Sequence, residues 1–153
     1  MKIICRKSTE ESFRIYKSWF ADKALNKQLG PMENETWETW QTYFNSDEKS
    51  EELAAYLNNE LVAVVDISLP TKEDPEYYIT AIATNPKMKR LGIGTAVLKQ
   101  LIESGDFTNS KIWRCHISHK NVASISFFKK FGWKKITEVD EHGMITYEFI
   151  SGL

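Results

Sequence analysis

The chain has 153 residues, with 20 Lys plus Arg against 21 Asp plus Glu and a formal charge of −1. That length predicts a single domain over residues 1–153, large enough to bury a core, and the even charge lacks the basic excess with which proteins hold nucleic-acid backbones. Apolar residues at 42 %, with seven glycines and four prolines, exclude a disordered or fibrous chain.

Lys2 to Arg6 reads as a first strand, too short and too soon charged for a secretory signal. Ser8 followed by Glu11 reads as a capping box that opens a helix carrying Phe13, Tyr16, Trp19 and Phe20 on one face. Leu29-Gly30-Pro31 breaks the chain, and Asn34 caps a second helix whose stripe is Trp37, Trp40 and Phe44. Leu53 to Leu57 and Leu61 to Leu69 flank Asn58-Asn59, a pair tolerant of positive φ that predicts a tight hairpin. A third long strand follows at Tyr77 to Thr84, rich in β-branched and aromatic residues.

Asn85-Pro86 stops that strand. A basic loop with two glycines, Lys87 to Gly94, then runs into a helix that ends near Glu103, with Gly105 at its C-cap. Ile112 to Ile117 reads as a strand, Asn121 to Phe131 as a helix stopped by Gly132, and the remainder as two strands turning at Glu141-His142-Gly143. The apolar character of these last strands predicts a homodimer. The longest apolar run, Leu61 to Val65, is far below a membrane span, so a soluble, cytoplasmic product without a membrane partner is expected. Cys5 and Cys115 show no zinc spacing and read as reduced structural thiols, with no metal.

The charges are segregated along the chain. Between Gln28 and Thr71 nine acids face one cation, Lys49, whereas between Pro86 and Lys135 eleven cations face only Glu103 and Asp106. Such a division predicts two unlike ligands, one cationic and one anionic.

A strand that ends in a glycine loop opening a helix aims free N–H groups and the positive end of the helix dipole at one spot, where an anion binds. The loop is neither a dinucleotide fingerprint, which needs a small residue where Val97 stands, nor a P-loop, which needs Lys-Ser or Lys-Thr at Val97-Leu98. A short phosphate cradle flanked by Lys87, Lys89 and Arg90 remains.

Pro86-x-x-Lys89-x-x-Gly92-x-Gly94, followed by Asn121 through Phe128 to Gly132-Trp133, resembles the two signatures of the GNAT superfamily of N-acetyltransferases, in the right order and at a usual separation. The resemblance implies an α+β (mixed α/β) fold, with a mostly antiparallel sheet of about seven strands, a splayed central strand pair and about four helices. It implies acetyl-CoA as co-substrate, its pyrophosphate held by backbone N–H groups of Lys89, Arg90, Leu91, Gly92, Ile93, Gly94 and Thr95. It also implies that the strand at Ile82, Ala83 and Thr84 pairs with the pantetheine arm, which Asn121 touches from the next helix. Lys89 departs from the usual Gln or Arg, Ser124 from the usual Ala, and Phe128 from the tyrosine often taken to protonate the leaving thiolate.

Loss of that tyrosine is tolerable, because a thiol of pKa about 8.5 leaves as thiolate at a cost of about 1–2 kcal/mol near neutrality. The attacking amine is the harder problem, since an ammonium of pKa about 10.4 is almost wholly protonated at pH 7. The position matching the family's strand glutamate is Tyr78, so Glu76, Tyr78 and Asp66 are the catalytic candidates, with His116 and His119 weaker ones. The N–H of Ile82 is the expected oxyanion donor. Trp19, Trp37 and Trp40, in the acid-rich half, are expected to build the acceptor pocket for a cationic amine, an aminoglycoside-like molecule or a peptide N-terminus. The alternatives are an acyl-CoA-binding module without catalysis and an anion-binding domain for another phosphate ligand.

Overall fold

Two asparagines at positive φ, Asn58 at 51° and Asn59 at 66°, turn the chain between two long strands and fix their register. The computed structural model describes residues 1–45, 49–89 and 91–152. The elements are β1 (Ile4–Lys7), α1 (Glu10–Ser18), a 3-10 turn (Trp19–Ala21), α2 (Lys23–Leu29), α3 (Trp37–Asn45), β2 (Ser50–Leu57), β3 (Glu60–Ser68) and β4 (Tyr77–Thr84). They continue with a 3-10 turn (Pro86–Met88), α4 (Ile93–Glu103), β5 (Ile112–Ser118), α5 (Val122–Phe131), β6 (Lys134–Lys135) and β7 (Met144–Ile150). One seven-stranded sheet has the order β1-β2-β3-β4-β5-β7-β6, antiparallel except for the β4–β5 pair. This is the mixed α+β fold expected from the sequence.

Side chains alternate across each strand, and the two resulting faces carry separate cores. Leu53, Val65, Ile67, Tyr77, Trp113, Cys115 and Ile117 pack with Val97, Leu98 and Leu101 of α4 and Phe128 of α5. On the other face Ala54, Leu61, Val64 and Ala83 lie beneath Phe13, Tyr16, Trp19, Phe20 and Leu25 from α1 to α2.

Three local readings are corrected. The box that opens α1 is Thr9 with Ser12, not Ser8 with Glu11. Thr9 is extended, its hydroxyl accepts from the Ser12 N–H at 3.2 Å, and Ser12 Oγ accepts from the Thr9 N–H at 2.8 Å. Ser8 is instead held to β2, its N–H donating to the Glu52 carbonyl at 3.2 Å. Asn34 does not cap α3; Thr36 and Thr39 do so reciprocally, at 3.2 and 3.0 Å. A helix the sequence did not announce, α2, starts at Asp22, whose carboxylate accepts from the Leu25 N–H at 3.1 Å. It breaks the aromatic face of the first helix, so that Trp19 and Phe20 lie in a turn yet keep edge contacts to Tyr16 at 5.7 and 5.1 Å.

Candidate active site

The site begins with a fault in the sheet. β4 and β5 pair only at Tyr77↔Trp113 and Tyr78↔Arg114, and from Ile79 onward β4 has no partner on that side. A bulge lies at the point of divergence: Ile67 pairs with Ile79 and Asp66 with Ala81, leaving Thr80 as the extra residue. Its hydroxyl donates to the Asp66 carbonyl at 3.2 Å, and such an insertion bends a strand and increases its twist. At the apex Arg114 clamps three strands together. Its Nη1 lies 2.9 Å from Glu76 Oε1, just before β4, and its Nε 2.8 Å from Glu148 Oε2 on β7.

Strand alternation fixes what faces the gap. The Asn85 N–H donates across to the Val62 carbonyl on β3 at 2.8 Å, so Ala83 and Ala81, at the same phase, also direct their amides to β3. Ile82 and Thr84 therefore turn N–H and C=O into the gap, a strand edge inside the sheet that can hydrogen-bond an extended, amide-bearing molecule.

The gap leads to the start of α4. Gly92, its N-cap, sits in the left-handed region at φ 74°, and no side chain caps the helix. A Cβ at Gly92 would meet nothing within 4 Å, whereas one at Gly94 would lie 3.2 Å from the Phe127 ring of α5. Gly92 thus leaves open space ahead of the helix, and Gly94 lets α4 seat against α5. The first-turn N–H groups of Ile93, Gly94 and Thr95 have no acceptor within the helix and carry the positive end of its dipole. Lys89 stands beside them, its Nζ 3.8 Å from Asp22 Oδ2. Arg90 lies outside the described residues.

A cavity of about 370 Å³ joins these parts, lined by Ile82, Ala83, Thr84, Lys89, Gly92, Ile93, Gly94, Thr95 and Phe128, and closed by Asp22, Leu25 and Gln28 of the α2 segment. A second, of about 240 Å³, fills the gap itself between Thr80, Ala81 and Ile82 on one arm and Cys115, His116 and Ile117 on the other, with Asn121 at its edge. Both are lined by Gln28, Ile82, Ser124 and Phe128, so they are continuous. Asn121 spends its Oδ1 capping α5, accepting from the Ser124 N–H at 3.1 Å, which leaves its NH2 for a ligand. Phe128 is 4 % exposed and packs edge-on to Trp133 at 4.9 Å; this position carries no proton donor. Leu91 is 60 % exposed on the rim.

The catalytic candidates are dispersed. Glu76 gives its Oε1 to the Arg114 clamp, and its Oε2 is buried without a hydrogen-bond partner among the described residues. Tyr78 accepts a hydrogen bond from Arg114 and lies against the His116 ring, centroids 5.0 Å apart. Asp66 is buried under the α1–α3 layer beside Glu52, its cross-strand partner, and lines none of these cavities. Burial, the Glu52 charge and the Glu52 hydrogen bond raise its carboxyl well above the usual range. Glu52 in turn accepts from Trp40 Nε1 at 2.8 Å. His119 is seated beneath the β6–β7 turn, its N–H donating to the Gly143 carbonyl at 2.9 Å. Burial pushes the Cys115 thiol up to about 12, which makes it inert as a nucleophile.

The Asp66 shift gives a stability prediction. The folded state keeps a proton that the unfolded chain releases near pH 3.8, so stability declines as pH rises above that value. Asp66→Asn is expected to lose part of that decline, so that its melting temperature rises relative to wild type as pH increases above about 4; parallel melting curves would contradict it.

The tryptophans expected at the acceptor site are elsewhere. Trp19 is 7 % exposed in the core. Trp37 and Trp40 pack on Phe13 at 5.9 and 5.7 Å and line a separate cavity of about 450 Å³ with Glu51 and Glu52, which shares no residue with the gap. The acids of that half are in part a buried pair rather than an open cationic site. Sequence reasoning missed Arg114, Thr80 and the α2 wall. Arg114 and His116 were readable from the alternation Trp113, Cys115, Ile117 inward, which sends them to the opposite face.

No helix among the described residues is long and apolar enough to cross a membrane, and no group of His, Cys, Asp or Glu among them is arranged to hold a metal. The structure is similar to an acetyltransferase from Thermus thermophilus, at 14 % identity over 98 % of this chain and 97 % of that one, with a TM-score of 0.80. It is also similar to an aminoglycoside acetyltransferase in complex with coenzyme A, at 15 % identity over 97 % and 95 % with a TM-score of 0.79. A third likeness is the Vibrio cholerae spermidine N-acetyltransferase in complex with coenzyme A and spermine, at 10 % identity over 97 % and 95 % with a TM-score of 0.80. At these identities the likeness is one of fold. A search of curated proteins by sequence finds no match. The model of the acetyltransferase (GNAT) family matches residues 13–133, a span that holds the bulge, the gap and the uncapped helix, and the chain belongs to that family.

Proposed function

We propose that this protein transfers an acetyl group from acetyl-CoA to a primary amine by direct attack with both substrates bound. The observation that carries this is the unpaired edge of Ile82 and Thr84 leading straight to the uncapped start of α4. Two features so placed match the two chemical halves of the donor: amides spaced along the pantetheine arm, then a pyrophosphate. The N–H groups of Ile93, Gly94 and Thr95, with Lys89 beside them, would hold the phosphates. The carbonyls and N–H groups of Ile82 and Thr84 would hold the arm, and the Ile82 N–H would donate to the thioester oxygen as charge develops there. Holding amine and thioester in contact supplies much of the remaining acceleration.

The acceptor is an amine that reaches the gap from the α1–α3 side, where Glu76 and Glu148 offset Arg114. A small cationic amine, an aminoglycoside-like molecule or a peptide N-terminus fits this. Related folds in complex with spermine or acting on aminoglycosides support the first two. Calorimetry with acetyl-CoA, followed by thiol release against spermidine, kanamycin and a dipeptide, tests the reading: micromolar donor binding and release above background with at least one amine are expected. Absence of donor binding would reject it. Phe128, buried where a proton donor is usual, favours a second reading, an acyl-CoA-binding module without turnover, and thiol release with any amine eliminates that one.

A further inference from the structure

We propose that His116 is the general base that takes the proton from the acceptor amine, an inference that rests on the acetyltransferase reading of the gap. The last rung joining β4 to β5 is Tyr78↔Arg114, so His116 stands two residues past it, about 7 Å along the strand, where the arms have just parted. Cys115 and Ile117 are buried toward α4 and α5, which turns His116 to the opposite face, the side left open for the acceptor. There it is exposed, and it lines the gap cavity together with Ile82, whose N–H is the proposed oxyanion donor.

The ring is fixed on two sides. The Tyr78 ring lies against it at 5.0 Å and 31°, and its Nδ1 is 2.8 Å from Thr146 Oγ1 on β7. With Nδ1–H donating to the Thr146 hydroxyl, the Nε2 lone pair is free for the amine, and the same bond persists once the ring is charged. Thr146 is itself held, its N–H donating to Thr137 Oγ1 at 2.9 Å. The charged and titratable groups around the ring are Tyr78 from β4, Arg114 on its own strand, Glu148 from β7, and Asp140 and His142 from the β6–β7 connection. Arg114 is neutralised by Glu76 and Glu148. Asp140 accepts from the Met144 and His142 N–H groups at 2.9 and 2.8 Å, and these, with the charges of His142 and His116, hold its carboxyl below the usual range. It is therefore an anion fixed near the His116 ring.

The other candidates fail on placement: Glu76 is tied to Arg114, Asp66 lines neither cavity of the gap, and Cys115 is a deeply buried thiol. In the step, the ammonium gives one proton to Nε2 of His116. The freed nitrogen lone pair forms the C–N bond to the acetyl carbon, and the C–S bond breaks with its electron pair on sulfur. The second proton lost from nitrogen goes to the thiolate, and the imidazolium returns its proton to water. One ammonium and one thioester give one amide, one thiol and one proton.

The test compares wild type, His116→Gln and Thr146→Val as full chains, with spermidine, kanamycin and hydroxylamine as acceptors. Hydroxylamine is already unprotonated at pH 7 and needs no base. For His116→Gln, kcat with the alkylamine at pH 7 is expected to fall about 10²-fold. The KM for acetyl-CoA and the rate with hydroxylamine should stay within about threefold of wild type. Thr146→Val is expected to lower the alkylamine kcat by a smaller factor while the KM for acetyl-CoA and the hydroxylamine rate stay at the wild-type level. An alkylamine rate within about threefold of wild type, or an equal loss with hydroxylamine, would overturn the role of His116. Wild type that releases no thiol with any acceptor would sink the acetyltransferase reading and the base with it; an active wild type with an unaffected His116→Gln sinks the base alone.

Discussion

Replacing Ile82 by proline is expected to lower the rate of acetyl transfer by about 10²–10³-fold while the sheet stays folded. The Asn85 N–H bonds to β3, so the Ile82 N–H, three residues earlier and of opposite phase, bonds to nothing in the sheet. Proline there removes no ladder bond, and the position behaves as an edge, where proline is tolerated. What it removes is the donor facing the place where the thioester oxygen gains charge. Single-turnover rates with acetyl-CoA prebound measure this, with binding followed separately. Ala83→Pro is the control: it deletes an amide directed at β3, so it should destabilise the protein. An Ile82→Pro enzyme with the wild-type rate would show that charge is stabilised by some other group.

Gly92→Glu is expected to weaken acetyl-CoA binding by at least about 10²-fold, close to 3 kcal/mol. Gly92 is at φ 74°, which costs a side-chain-bearing residue about 1–2 kcal/mol. The larger effect is electrostatic. With nothing within 4 Å of the new Cβ, the side chain enters the space ahead of α4, and its carboxylate occupies or repels the phosphate position at the helix N-terminus. Gly105 separates the two effects. It lies at the other end of α4, at φ 83° and equally open, so Gly105→Glu carries the same backbone strain without touching the binding site. Calorimetry should show lost affinity only for the first variant, and equal losses would mean that strain alone is responsible.

Much of the framework was legible because it rests on local chemistry. Asn58-Asn59 announced the hairpin, Tyr77 to Thr84 was read with its bounds, and Gly92, Gly105 and Gly132 marked helix ends that need positive φ. The glycine loop ahead of α4 was legible for the same reason. What escaped depends on distant parts of the chain. Trp37 and Trp40 looked available to a ligand, but their stripe is consumed by Phe13 of α1. Asp66 looked like a candidate base, but it lies away from the gap, and burial and its neighbour Glu52 raise its carboxyl. Arg114 looked like one more cation in a basic stretch, and it proved to tie three strands at the apex of the gap. The misread caps, Ser8 for Thr9 and Asn34 for Thr36, were errors of one or two residues among equivalent hydroxyl and amide side chains.

The two-rung junction between β4 and β5 also bears on how the protein holds together. Seven strands are counted as one sheet, yet on the proposed reading its middle would be completed by a molecule the gene does not encode. Because the donor would supply the absent hydrogen bonds to Ile82 and Thr84, and would bind the folded chain alone, stability must rise with the logarithm of donor concentration once its dissociation constant is exceeded. Resistance to unfolding, and with it the lifetime of the protein, then tracks the supply of its own substrate.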